Sequence, residues 1–548
     1  MGVIWAVGFC FLLVGGGVEV EASHDESLPR EQPYRTAYHF QPPNNWMNGI
    51  TAHPFLGPMF YKGVYHLFYQ YNPYAAVWGN ISWAHSISYD LVDWIHLEPA
   101  INPSEPFDIN GCWSGSTTFL HGGNPAILYT GADLKYRQFQ NLVVPKNVSD
   151  PLLKEWVKSP LNPLLTPIDG IDPNNFRDPT TAWRGPDEVW RVIIGSMING
   201  QGMALLYRSK DFVRWTRSKN PLHSSTKTGM WECPDFYPVS INSKNGVDSS
   251  ARRKFTKHVL KASFNSSDHY ILGDYTPKRD RYLVDTDFMD NGLDLRYDYG
   301  KFYASKTFYD GAKKRRILWG WVTESDSESD DIRKGWSGLQ AIPRSIQLSS
   351  TGRQLVLWPI EELEKLRTQH VSFNDKELKG GSVFEVSGIS AAQADVEVSF
   401  DLPNLDEAES IDPNSVDPQQ LCSQKEASVR STLGPFAGYE SNSFYRSSLR
   451  EGLDKTTYGA FVYLDHRDDK ISLRSLIDHS IIESFGGDGR ACITARVYPK
   501  VANDREAHLY MFNNGTRSVR ISSLNAWSMK RAQIYSLRRR RKSPITYK

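Results

Sequence analysis

Five cysteines in 548 residues are too few to staple a fold of this length, and neither sign of charge is in surplus, with 63 Lys and Arg against 62 Asp and Glu. A chain so balanced has no global field to draw nucleic acid or an anionic membrane towards it. Beyond residue 18 no apolar run is long enough to span a bilayer. Helical periodicity is nearly absent. The histidines are scattered and none pairs with Cys or carboxylate at ligand spacing, so neither a metal nor another cofactor is expected. The most consequential absence is local: no Asp or Glu occurs between Glu31 and Asp90.

The apolar run from Val3 to Val18 is too short to cross a membrane and is followed by Val20-Glu21-Ala22-Ser23. Residues 1–22 therefore read as a signal peptide cleaved after Ala22, which makes the mature chain secreted. No Lys or Arg precedes the run, and a short anchor is the other reading. Asn80, Asn147, Asn265 and Asn514 open Asn-x-Ser/Thr sequons, glycosylation sites for an exported chain. Cys10 leaves with the signal; Cys112, Cys233, Cys422 and Cys492 allow three pairings that their spacing does not rank. The basic cluster Arg538–Lys542 reads either as a solvated tail, residues 537–548, or as a contact for acidic wall polysaccharide.

Short strand-like runs dominate, among them Tyr65–Tyr69, Val192–Ile194, Ala204–Tyr207 and Ile317–Trp319, separated by Gly, Pro, Asn and Asp clusters. Ser88-Tyr89-Asp90-Leu91-Val92-Asp93-Trp94 matches Ser209-Lys210-Asp211-Phe212-Val213-Arg214-Trp215, each copy reading as strand, tight turn, strand. Tyr303–Phe308 reads as a degenerate third copy. Such recurrence fits four-stranded blades about an axis, a β-propeller of five to seven blades over residues 30–355, with a large sandwich as the alternative. Residues 356–371 read as a linker holding a short helix from Pro359 to Arg367, with Ile360, Leu363 and Leu366 on one face. From 372 to 536 the runs Val396–Phe400, Ala460–Leu464 and Ile493–Tyr498 alternate as half-buried strands of a β-sandwich, interrupted by a polar loop from Asp401 to Lys425. The fold class is all-β.

Aromatic residues crowd the early propeller (Trp46, Tyr69, Trp78, Trp83, Trp94, Trp113); most must be blade core, and some can stack on sugar faces. Two carboxylates stand in unusual company: Asp178 in Phe176-Arg177-Asp178-Pro179 and Glu232 in Trp231-Glu232-Cys233-Pro234-Asp235. Arg177 is expected to keep Asp178 ionised, and the apolar neighbours of Glu232 to raise its pKa. One charged and one protonated carboxylate are the halves of glycosidic acid catalysis; two satisfied turn ion pairs are the bland alternative.

These stretches carry a resemblance. Arg35–Pro42, Asn45-Trp46-Met47-Asn48, Gly57–Tyr61, Trp113-Ser114-Gly115-Ser116, the Asp178 and Glu232 motifs, Gly335–Gln340 and Asp478–Phe485 together resemble the plant cell-wall invertases and fructan exohydrolases, β-fructofuranosidases of glycoside hydrolase family 32. The resemblance implies a five-bladed β-propeller followed by a C-terminal β-sandwich, in an apoplastic, cell-wall enzyme. It implies retaining hydrolysis of terminal β-fructofuranosides such as sucrose or fructans, with Glu232 as acid/base and Asp178 stabilising the transition state. It places Trp46, Asn48, Gln70, Trp78, Trp113, Ser114, Arg177 and Cys233 around the sugar. It also favours a Cys422–Cys492 disulfide, leaving Cys233 free.

Two departures from the family pattern follow. The family's nucleophile is the Asp of Trp-Met-Asn-Asp-Pro-Asn-Gly, but after Asn48 this chain has Gly49–Leu56, eight unrelated residues in place of three, before the pattern resumes at Gly57. With no nearby carboxylate to substitute, the two-step path is expected to be crippled. A skipped small exon explains the gap, and a non-catalytic sugar-binding or regulatory homologue is the rival reading. The second departure is Gly273-Asp274-Tyr275-Thr276 followed by Arg279, where sucrose-cleaving members carry Asp and Lys, which leans towards fructan.

Overall fold

A computed structural model of the protein describes residues 32, 34–47, 57–251, 254–285, 295–402, 419, 452–454, 456, 458–462, 468–498, 507–513 and 516–536. The expected signal peptide, Asn48, the Gly49–Leu56 segment, Cys422, Asn514, all of the Asp401–Lys425 loop beyond Leu402 except Gln419, and the basic tail lie outside the described residues. No helix among the described residues is long and apolar enough to cross a membrane.

Five sheets follow one another from Met59 to Pro359, their strands antiparallel and consecutive in the chain apart from one late strand added to the first: a five-bladed propeller. The inner strands of the second, fourth and fifth blades are Cys112–Phe119, Glu232–Ser240 and Phe302–Asp310, and Phe176–Arg177 enters the third. The three full strands are buried over nearly their whole length and rich in β-branched and aromatic residues, as strands covered on both faces must be. The ring is closed by a parallel pairing of Asn45–Trp46 with Trp336–Ser337, which joins the lead-in of the first blade to the fifth.

The sequence repeat is a structural one. Ser88 Oγ accepts from the amide of Leu91 at 2.8 Å, Asp90 Oδ1 from that of Asp93 at 2.9 Å, and Trp94 Nε1 donates to the Leu91 carbonyl at 3.2 Å. In the other copy Asp211 Oδ1 accepts from Arg214 N at 2.8 Å and Trp215 Nε1 donates to the Phe212 carbonyl at 3.2 Å. Leu91 and Phe212 both sit at φ 65°, a strained value for such side chains that burial of each offsets. The third copy is not one: Tyr303–Phe308 lies inside the inner strand Phe302–Asp310, with no turn.

The expected linker is shorter than 356–371. Leu355–Pro359 is the outer strand of the fifth blade, Glu361–Leu366 a single 3₁₀ segment with Leu363 and Leu366 buried, and Arg367–Leu378 already a strand of the next sheet. The three-residue spacing of Ile360, Leu363 and Leu366 suits the three-residue turn better than an α-helix. The sandwich is a six-stranded antiparallel sheet with a two-stranded one, Val383–Glu385 with Tyr510–Phe512. Ala460–Val462, expected as part of a strand, is irregular, and Tyr463 and Leu464 lie outside the described residues.

Two motifs from opposite ends of the chain meet where sandwich and propeller join. His39 Nδ1 lies 2.8 Å from Asp478 and Nε2 2.8 Å from Glu483, and Asp478 also accepts the amides of Ala37, Tyr38 and His39. Arg344 of the fifth blade pairs with Glu483 at 2.6 Å and Asp298 at 2.9 Å. All five of these ionisable side chains are fully buried, a packing tolerable only because each charge is paired and hydrogen-bonded. The last strand among the described residues, Ile534–Ser536, pairs in parallel with Trp94–His96 of the first blade, a further tie between the C-terminal region and the propeller.

Candidate active site

The inner strands do not start as regular ladders. Register breaks between Cys112 and Gly115, between Glu232 and Asp235, and between Tyr303 and Lys306, at the first turn of pleat in three blades. A bulge re-aims the side chains on either side of it, here towards the axis. The backbone is left-handed at Cys233 (φ 48°), Ala304 (φ 56°) and, in the third blade, Asp178 (φ 68°). Strain recurring at equivalent places in three blades marks a site that the surrounding fold holds in place.

Asp178 is fully buried. Its Oδ2 accepts from the Cys233 amide at 2.8 Å and from the Cys233 thiol at 3.4 Å, whereas Oδ1 has no hydrogen-bond partner among the described residues. Its amide donates to Thr130 Oγ1 at 2.9 Å. Glu232 accepts at both oxygens, from Arg177 Nη2 at 2.7 Å and from the Tyr303 hydroxyl at 2.5 Å. The structure thus corrects the electrostatics expected from the sequence, because Arg177 pairs with Glu232 rather than with its neighbour Asp178. Burial raises the Asp178 pKa above its ordinary value, the field of Arg177 only partly offsets this, and the charge of Glu232 adds to the rise.

Two buried lysines that no sequence motif singled out lie behind the Glu232 strand. Lys261 Nζ donates to the carbonyls of Cys233 at 3.1 Å and Ser305 at 2.7 Å, and Lys306 Nζ donates to the Pro234 carbonyl. They fix the two bulged strands to each other. Tyr303 and Thr130 are the other contributors missed; lysine and tyrosine inside otherwise apolar blade strands were the available signal. The Cys233 thiol is pushed well up by burial and by Asp178, so it is a hydrogen-bond donor and not a thiolate.

The residues expected to bind sugar gather on the neighbouring blades. Trp46, Trp113, Ile81 and Ala132 form one buried cluster with half-buried Trp78 packed against it, the Trp78 and Trp113 rings 6.2 Å apart. Gln70 donates to Ser114 Oγ at 3.2 Å. Thr130, bonded to Asp178, lies on the same strand as Ala132, which links the tryptophan cluster to the carboxylates. Asn80, Asn147 and Asn265 are exposed. The expected Cys422–Cys492 bridge involves Cys422, which lies outside the described residues; among the described residues Cys492 is a fully buried thiol with Sγ 3.8 Å from the Leu357 carbonyl. Glu324, Asp326 and Asp331 converge closely enough to hold a cation, but the Lys334 ammonium already stands among them at 3.1, 2.8 and 2.7 Å.

The glycosyl hydrolases family 32 N-terminal domain matches residues 39–359 and the family's C-terminal domain residues 362–528. The chain belongs to glycoside hydrolase family 32. It is 52% identical over 95% of its length to an insoluble β-fructofuranosidase isoenzyme, CWINV1, of Arabidopsis thaliana, covering 97% of that protein. It is 50% identical to a fructan 6-exohydrolase of Beta vulgaris, over 92% of this chain and 88% of that one. The crystal structure of fructan 1-exohydrolase IIa from Cichorium intybus superposes with a TM-score of 0.86 at 50% identity, over 93% of this chain and all of that one. A Glu-to-Gln variant of that enzyme has been solved in complex with 1-kestose. The family's propeller and sandwich are those described above, and the relatives named here are a β-fructofuranosidase and fructan exohydrolases.

Proposed function

We propose that this family 32 chain is a secreted cell-wall protein whose pocket takes the terminal non-reducing β-D-fructofuranosyl unit of sucrose or a fructan. In this reading Glu232 protonates the leaving oxygen and then activates water, and Asp178 grips fructosyl hydroxyls and steadies the oxocarbenium-like transition state. The observation that carries it is the Asp178 carboxylate, shut away from solvent with one oxygen held by Cys233 and the other without a partner among the described residues. A buried acceptor left open is costly unless a ligand hydroxyl completes it. Arg177 and Tyr303 hold Glu232 in one orientation beside it.

The two-step path also needs a carboxylate on the opposite face of the sugar, and residues 32–89 contain none. As written, the chain therefore hydrolyses fructosides very poorly. The choice of fructan over sucrose is supported by Thr276 in place of the expected Asp. The nearby acids are engaged elsewhere: Asp274 meets Lys257 at 3.2 Å, and Asp280 is buried between Arg191 and Arg208.

The test compares two secreted proteins, this chain and one in which Asp-Pro-Asn replaces Gly49–Leu56, by fructose release from sucrose, inulin and levan. Activity in the repaired chain alone supports the reading, and the substrate ratio separates invertase from exohydrolase. Equal activity in both refutes the missing-nucleophile claim. Two folded but inactive proteins that bind fructosides favour the non-catalytic sugar-binding homologue.

A further inference from the structure

The tryptophan cluster does not end at Trp78 and Trp113. Tyr136, at the tip of the hairpin between Pro125–Ala132 and Gln138–Pro145, lies against Trp113 with ring centroids 6.4 Å apart and planes inclined by 35°. That separation is within the range of interacting aromatic pairs. Trp113 is buried, whereas Tyr136 is 50% exposed, so the aromatic row runs from the interior to solvent.

Topology puts this tip at the end of the blade where Asp178 lies. Gly131, near the end of one hairpin strand, pairs with Cys112 at the start of the inner strand, and Gln138, which opens the other, accepts from the Phe176 amide at 2.8 Å, two residues before Asp178. The tip is also firmly built. Asp133 Oδ1 accepts the amides of Lys135 and Arg137, both at 2.9 Å, and Asp133 Oδ2 accepts from Arg137 Nε at 2.7 Å. The Tyr136 amide donates to the Asp133 carbonyl at 2.8 Å. Tyr136 itself stands at φ 59°, a left-handed conformation unfavourable for a tyrosine, which the Asp133 bonds enforce. The contact with Trp113 leaves half of this large aromatic ring in water, in a strained, braced turn.

We propose that Tyr136 is an outer sugar-binding subsite, a platform for a unit of an oligofructoside beyond the first two when its terminal fructose occupies the pocket. The proposal rests on the fructoside reading of the site. The apolar C–H face of a furanose stacks on such a ring, and the ring's rigidity keeps the entropy lost on binding small.

The test is calorimetric titration of the full secreted chain with sucrose, 1-kestose and a five-unit inulin oligomer. Wild type is expected to bind the longer sugars more tightly than sucrose. Tyr136→Ala weakens binding of the five-unit oligomer by about fivefold, leaving sucrose within about twofold, and Tyr136→Phe keeps the wild-type pattern. Tyr89→Ala serves as control: Tyr89 is 64% exposed, in the turn after Ser88, at the opposite end of the first blade from Trp78. A Tyr136→Ala protein that retains wild-type affinity for the oligomer overturns the subsite alone, and so does a Tyr89→Ala loss as large as that of Tyr136→Ala. Failure of the folded wild-type chain to bind any of the three overturns the fructoside reading, and the subsite with it.

Discussion

Asp178 is held in a state that works against the stability of the fold. Burial, reinforced by Glu232, raises its folded pKa above the ordinary 3.8. The sign follows directly: the folded protein binds this proton more tightly than the unfolded chain, so ionising Asp178 costs nothing below about pH 3.8 and progressively more as pH rises through the folded pKa, after which the cost is constant. Asp178→Asn keeps an acceptor for the Cys233 amide and removes the charge. It is expected to raise the melting temperature by about 1–3 °C at pH 7 and by much less at pH 4. In the chain repaired with Asp-Pro-Asn the same substitution abolishes fructose release. Equal shifts at both pH values contradict the electrostatic origin. Both carboxylates were legible in the sequence through their motifs, but their partners were not. Arg177 closes a two-residue strand and the backbone turns off it at Asp178, φ 68°, so the two side chains part and the arginine reaches Glu232 on the next blade instead.

The blades were legible wherever the turn chemistry repeats, because Ser-x-Asp-apolar-x-x-Trp writes the same hydrogen bonds twice. The third copy failed since Tyr303–Phe308 has no Asp to accept the turn amides and stays extended. The helix Glu328–Lys334 went unread although its ends are well marked, by a Ser327–Asp330 capping box and by Gly335 at φ 77°. The residues it buries are Asp330 and Asp331 rather than an apolar stripe, which leaves no helical period to detect. Gly195 was equally silent. It pairs with Arg177 across one ladder, and a Cβ on it would lie 2.2 Å from the Trp231 carbonyl, so it sets the spacing between the strands that carry Asp178 and Glu232. Gly195→Ala pushes directly on the Trp231 carbonyl, a backbone atom that cannot swing aside, and the Trp231-Glu232 strand must move. The expected outcome in the repaired chain is a loss of activity of at least about a hundredfold, greater than the accompanying loss of secreted yield, as when a catalytic group shifts by about an ångström. A substituted protein with normal kcat removes Gly195 from the positioning of Glu232.

At the scale of the whole molecule, residues more than four hundred positions apart are locked together through His39, Asp478 and Glu483, and that lock has a pH window. Burial, the largest single effect on His39, opposes its protonation, but the bonds and charges of Asp478 and Glu483 outweigh it and raise the pKa above 6.5. Burial likewise opposes ionisation of Asp478 and Glu483, yet His39 for the first, and Arg344 with His39 for the second, bring both below their ordinary 3.8 and 4.5. The depressed carboxylates contribute stability that is present above those ordinary values and lost as pH falls through the lowered ones. The raised histidine contributes stability that is complete below 6.5 and lost as pH rises through its folded pKa. All three contributions are complete together between about pH 4.5 and 6.5, an acidic optimum for the joint between propeller and sandwich. His39→Gln removes the cation and leaves Asp478 buried without it, which is expected to cost about 3–5 kcal/mol. Melting temperatures measured from pH 4 to 9 should show the wild type falling on the alkaline side of its optimum. The variant should be lower by most at pH 5.5 and converge on wild type as His39 deprotonates; two parallel curves would mean that His39 holds the joint by packing and not by charge.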